Sequence, residues 1–125
     1  MNFLLDTHIL LWWLYDEPKL SKHGRTLISA PENNIFVSAV SGWEIAIKKA
    51  LGKLISPDDL EMALEKNNFQ ALDITFAHSQ VVGILPPFHD DPFDRMLIAQ
   101  SKLENLSLIT HDKKLKQYEA KIILI

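Results

Sequence analysis

NFLLDTHILLWWLY, residues 2–15, decides the fold class. Asn2 to Leu5 is too short for a helix and suits a buried strand. Asp6 ends that run and, with Thr7, caps the helix after it. Ile9 to Tyr15 is apolar at every position. A helix apolar all round must be covered on more than one side. The cover comes either from the chain's own fold or from a partner chain, because the adjacent Trp12 and Trp13 cannot share one face.

The same alternation recurs outward from this unit. Asp16-Glu17-Pro18 breaks the first helix. Leu20 to Ala30 reads as a modest amphipathic helix, and Pro31 to Asn34 as a turn cluster. Ile35 to Ser38 is a second short strand. Ser38 or Ser41 caps a helix that runs to Gly52, a natural stop. Ser56-Pro57-Asp58-Asp59 offers a cap, a proline and an acid in register for another helix, which frays at Asn67-Asn68. Phe69 to Leu72 is a third strand, and Thr75 caps a short helix to Val82. A proline-bearing loop, Gly83 to His89, leads into HDDPFDRMLIAQ, residues 89–100. There Asp91 is a good N-cap and Pro92 fits the first position of a helix to about Glu104. Leu106 to Thr110 is a fourth strand, Asp112 caps a last short helix, and Ala120 to Ile125 is a fifth strand. Short apolar strands alternating with helices predict an α/β fold with a parallel sheet of about five strands, covered on both faces.

The bulk numbers bound the function. The chain has 125 residues, 47% hydrophobic and 23% charged, the size and composition of a single domain spanning 1–125. It contains no cysteine, which removes disulfides, thiolate ligands and a Cys nucleophile and fits a reducing compartment. No apolar run is long enough for a membrane span, and the N-terminus lacks the basic region of a signal peptide, so a cytoplasmic protein is expected. The net charge is −3. Proteins that grip nucleic acid by bulk charge are basic, so any action on nucleic acid needs a local site.

Four acids supply one. Asp6 follows the first strand, Glu44 lies about a helical turn after the second, Asp94 is in the first turn of the late helix, and Asp112 follows the fourth strand. Residues just after the strands of an open parallel sheet lie at one edge, where ligands bind. Taken singly, each acid has a plain explanation. Asp6 and Asp112 cap helices, Asp94 completes the cap begun by Asp91, and Glu44 forms a solvated pair with Lys48. Taken together they would repel unless a cation sat among them. Hard oxygen ligands without Cys favour Mg²⁺ or Mn²⁺. Such ions suit phosphoryl chemistry: they bind a scissile phosphate, activate a water and stabilise the leaving oxygen. They would also draw a polyanion to an acidic protein.

Four pieces of the chain then carry a resemblance: LLDTH at Leu4 to His8, VSAVSGWEIAIKKALGKL at Val37 to Leu54, HDDPFDRMLIAQ at His89 to Gln100, and LITHD at Leu108 to Asp112. In this order and spacing the sequence resembles the PIN-domain ribonucleases, in particular VapC-like toxins of prokaryotic toxin–antitoxin pairs. The resemblance implies a three-layer PIN-like fold and Mg²⁺- or Mn²⁺-dependent endoribonuclease activity; in-line attack by a metal-activated water is then expected to leave a 5′-phosphate and a 3′-hydroxyl. It makes Asp6, Glu44 and Asp94 the metal-holding, catalytic acids, with Asp112 in a fourth and more variable place. The partners it implies are an RNA substrate, a cognate antitoxin that blocks the site, and a second copy in a homodimer. The ILLWWLY helix is a surface that either protein could cover.

Other residues have softer readings. Thr7 and Thr110 could orient a carboxylate through their hydroxyls, with capping the plainer role for Thr7. His8, His89 and His111 flank the acids, although loop histidines are usually just solvated. Arg95 could pair with an acid or a phosphate. Trp43 reads as core rather than as a platform for a base, and Lys48 and Lys49 as a solvated face that could touch RNA. Two rival functions remain: a PIN-like binding module without catalysis, and a phosphoacceptor signalling domain. The second expects adjacent acids after the first strand, whereas Asp6 stands alone.

Overall fold

The computed structural model describes residues Met1–Ile125. Five strands, β1 (Asn2–Leu5), β2 (Asn34–Ser38), β3 (Gln70–Leu72), β4 (Ser107–Thr110) and β5 (Ile122–Leu124), form one sheet in the order β3-β2-β1-β4-β5. Every pairing is parallel. The helices are α1 (Thr7–Leu14), α2 (Lys22–Ser29), α3 (Ala39–Ala50), α4 (Leu60–Lys66), α5 (Phe76–Gly83) and α6 (Pro92–Glu104), with a 3-10 turn at Lys113–Gln117. The expected α/β fold with five parallel strands is what forms.

Period-two alternation in the strands builds the layers. Phe3, Leu5 and Ile109 belong to one buried cluster with Ile9, Leu10 and Ile28, while Leu4 and Leu108 belong to another with Leu97, Ile98 and Leu115. The sheet thus buries both faces, and near-continuous apolar strands are the result. Each such fully buried leucine or isoleucine stabilises the fold by about 1.5–3 kcal/mol.

The apolar helix α1 is covered by its own fold. Ile9, Leu10 and Leu11 are buried, and Trp12, Trp13 and Leu14 pack against the first cluster. The two tryptophans point apart, Trp12 edge-on to His111 and Trp13 toward Phe69 with its indole N–H on Asn67 Oδ1 at 2.9 Å. An exposed apolar row runs along α3 and its C-cap instead. Trp43, Ile47 and Leu51, spaced four apart, are 59%, 37% and 63% exposed. Trp43 is therefore not core; it stands out from the surface, edge-on to Phe93.

Two helix starts differ from expectation. The helix after Ser56 begins later, at Leu60, capped by Asp59, whose carboxylate accepts from Met62 N. The Ser56 hydroxyl is turned to Pro57 O and is lost to capping. Thr7 caps nothing, because Asp6 takes that role and Thr7 is already the first helical residue. Its hydroxyl donates to Ser41 Oγ at 2.8 Å and ties α1 to α3. No helix is long and apolar enough to cross a membrane.

Candidate metal centre

The sheet order fixes where the acids meet. From β1 the chain runs outward through β2 to β3, then returns to place β4 on the other side of β1. The carboxyl ends of β1 and β4 flank this reversal, the place where an open parallel sheet opens a crevice. Asp6 follows β1 and Asp112 lies two residues past β4. Thr110, the last residue of β4, joins them: its hydroxyl donates to Asp6 Oδ2 at 2.6 Å and accepts from Asp112 N at 3.1 Å.

Asp6 is buried and caps α1, accepting from His8 N at 3.2 Å. Burial pushes its carboxyl above the ordinary range, against the hydrogen bonds from Thr110 and His8, and the charge of Glu44 adds to the rise. Asp94 comes from the first turn of α6. Asp91 alone supplies that cap, accepting from both Phe93 N and Asp94 N, so the Asp94 carboxylate is left for the site. Its side chain is 16% exposed. Burial raises it to about 8, helped by the negative charges of Asp6, Asp91, Glu44 and Asp112.

Glu44 comes from the middle of α3 and is 3% exposed, which rules out a solvated surface pair. Its Oε2 accepts from Lys48 Nζ at 2.6 Å. Its Oε1 is buried and has no hydrogen-bond partner. A buried carboxylate oxygen without a donor is costly unless something else satisfies it. That orphan oxygen, the oxygen-only acids around it and the burial and acidic neighbours that push Asp94 up all suit a hard divalent cation.

Asp112 caps the 3-10 turn, accepting from Lys114 N at 2.9 Å through Oδ1. Burial works to raise its carboxyl, but the bonds from Lys114 and His89 outweigh that and hold it below the usual range. A cleft of about 190 Å³ is lined by Asp6, His8, Trp12, Asp94, His111 and Asp112. Glu44 does not line that cleft, but its charge acts on both Asp6 and Asp94.

One participant was missed by treating loop histidines as solvated. His89 is only 12% exposed at its side chain, and its Nε2 lies 2.8 Å from Asp112 Oδ2 and 3.2 Å from Asp94 Oδ2. Its proximity to the DDPFD helix start was the available signal. Arg95, in contrast, pairs with no acid. Its guanidinium donates to the carbonyls of Val82, Leu85, Pro86 and His89 and to the Tyr118 hydroxyl, stapling the loop before α6. Lys49 is turned away to Asp58.

The PIN domain family model matches residues 3–121. Ribonuclease VapC22 of Mycobacterium tuberculosis is 25% identical, over 92% of this chain and 90% of its own. The fold also matches VapBC2 of Rickettsia felis bound to a DNA fragment from its promoter, with a TM-score of 0.72 at 18% identity over 100% of this chain and 98% of that one. DNA-bound VapBC of Salmonella typhimurium matches with a TM-score of 0.68 at 15% identity, covering 98% and 97%. A parallel five-stranded sheet with acids gathered at its carboxyl edge, matched by that family model over nearly the whole chain, places this protein in the PIN-domain family.

Proposed function

We propose that this chain is a divalent-metal-dependent endoribonuclease, the toxin of a toxin–antitoxin pair, and that Asp6, Glu44, Asp94 and Asp112 hold Mg²⁺ or Mn²⁺. The observation that carries the proposal is the meeting of Asp6, Asp94 and Asp112 in one cleft at the sheet edge, with Glu44 near enough for its charge to act on Asp6 and Asp94 and one of its buried oxygens left unpartnered. A relative named as a ribonuclease, similar over nine-tenths of both chains, supports RNA as the substrate. The fold neighbours are toxin–antitoxin complexes, which supports an antitoxin as the partner. The exposed apolar row Trp43, Ile47 and Leu51 replaces the α1 helix as the surface such a protein would cover.

A bound divalent cation would neutralise the acids, lower the pKa of a water and offset charge on the scissile phosphate. The chain's own residues do the rest. Thr110 fixes Asp6, and Lys48 holds one oxygen of Glu44 while the other stays free. Burial of Asp6 and Glu44 keeps water off the protein side of the site, which strengthens every charge interaction there. Exposed Lys113 and Lys114 directly follow Asp112 and offer positive charge to the RNA backbone.

The test is cleavage of a mixed RNA pool by the wild type and by Asp6→Asn and Asp94→Asn, each with and without EDTA. The proposal expects cleavage by the wild type alone, abolished by EDTA and restored by Mg²⁺ or Mn²⁺. Cleavage that persists through both substitutions and through EDTA sinks it. Mn²⁺ binding without any cleavage would mark a binding module instead.

A further inference from the structure

His89 enters the cluster in a way that defines its role. Its Nε2, an Asp94 carboxylate oxygen and an Asp112 carboxylate oxygen all lie within 4.8 Å of one another. A histidine among acids at that spacing is an obvious metal ligand, yet its other nitrogen argues against ligation. Nδ1 accepts the Asp91 backbone N–H at 3.0 Å, so it carries a lone pair and the neutral ring keeps its proton on Nε2. An Nε2–H is a donor and has no lone pair for a cation. The His89 backbone, from which the ring projects, is also fixed at two points. His89 N donates to the Tyr118 hydroxyl at 3.1 Å, and Arg95 donates to His89 O at 3.4 Å. Asp91, which fixes the tautomer, is the same residue that caps α6 and presents Asp94.

We infer that His89 is a positioning residue, whose Nε2–H donates to Asp112 and holds that carboxylate in register with Asp94 for the cation. Asp112 needs such a partner. It sits at the start of a 3-10 turn, its side chain is 35% exposed, and its other oxygen is spent on the Lys114 N–H. Partners that orient a ligand in this way are worth about 10–100-fold in metal affinity when removed. The inference rests on the metal-site reading above and adds that the histidine works through Asp112.

Calorimetric titration of Mn²⁺ into the purified full chain tests it without any reliance on cleavage. The variants are His89→Ala, His89→Gln, His89→Met, Asp112→Asn and the His89→Ala/Asp112→Asn pair, each checked for folding by thermal melt. Loss of the donor in His89→Ala should weaken Mn²⁺ binding by about 10–100-fold. Gln, whose amide N–H reaches a similar place, should restore most of it, whereas Met, of like length and without a donor, should not. Should His89→Ala fail to fold, the Gln and Met variants carry the comparison. In the Asp112→Asn background the histidine change should have almost no further effect, since a residue that acts through another loses its effect when that other is gone. Equal Mn²⁺ affinity in the wild type and His89→Met would overturn the inference. So would a full additional loss in the double variant, which would show that His89 acts on the ion otherwise than through Asp112. A wild type that takes up no Mn²⁺ would overturn the metal-site reading beneath it as well.

Discussion

The carboxyl end of the sheet holds a cleft of about 190 Å³ lined by three aspartates and two histidines. The amino end holds a larger one, about 650 Å³, where Asn33, Asn34, Asn67, Asn68 and Gln70 line the starts of β2 and β3. The larger hollow is lined by amides and one glutamate and gathers no cluster of acids. Three of its five amides are spent on the fold: Asn33 holds Leu27 O and the N-terminus, Asn34 holds Asn2, and Asn67 holds Trp13 and Ala63 O. At the other end the pairing is incomplete. An oxygen of Glu44 is orphaned, and Asp94 is pushed up to about 8 by burial and by its acidic neighbours. Unsatisfied charge, not volume, locates the site.

The strongest way to break this contrast is to exchange one residue at each end. Asp94→Asn is expected to lower RNA cleavage by about 100-fold or more, the equivalent of several kcal/mol of lost transition-state stabilisation. Asn33→Ala at the amino end should leave cleavage within about twofold, its loss falling on stability at the scale of one hydrogen bond. A gel-based rate assay on both variants checks this.

Stability should move in the opposite direction. The folded Asp94 carboxyl lies near 8 and the unfolded one near 3.8, so between these values the folded state holds a proton that the unfolded state has lost. Stability of the metal-free protein from this group is then full below about pH 4 and declines as the pH rises toward 8. Asp94→Asn removes that decline and should make the metal-free protein more stable at pH 8 by on the order of a few kcal/mol. Thermal melts in EDTA from pH 5 to 8 read it, and added Mn²⁺ should stabilise the wild type at pH 8 while leaving the Asn variant nearly unmoved.

Two smaller effects sharpen the picture. Arg95→Ala frees the loop that carries His89 and should cost about 2–3 kcal/mol, with a drop in cleavage caused by the histidine's loss of place. Asn67→Ala removes the partner of the Trp13 indole at the amino end and should cost about 1 kcal/mol with cleavage unchanged. Chemical denaturation curves give both costs.

Much of this was legible in the chain. The strand-acid-helix units at Leu5-Asp6-Thr7 and Thr110-His111-Asp112 write the fold and two of the acids into local pattern, because capping and strand burial are both short-range. Pro92 and Asp91 gave the start of α6 for the same reason. What stayed hidden depends on contacts across the fold. His89 is placed by Asp91 beside it but also by Tyr118, 29 residues away. Arg95 looked like a partner for an anion, and only the folded loop shows four carbonyls competing for it. Trp43 read as core because apolar residues on a helix generally are; its face is left open because of the side that α3 presents to the sheet. Glu44 and Lys48 were paired correctly, but the burial that strands Oε1 comes from packing and not from spacing.

The central claim is that Asp6, Glu44 and Asp94 share a divalent ion. Crystals soaked in Mn²⁺ and measured at wavelengths on either side of the manganese absorption edge test it most directly. The account predicts an anomalous peak about 2.0–2.4 Å from a carboxylate oxygen of both Asp6 and Asp94, with Glu44 Oε1 turned to the ion or to its hydration shell. No peak at the carboxyl edge of the sheet, or manganese bound only at exposed acids such as Asp16 and Asp58, would contradict it.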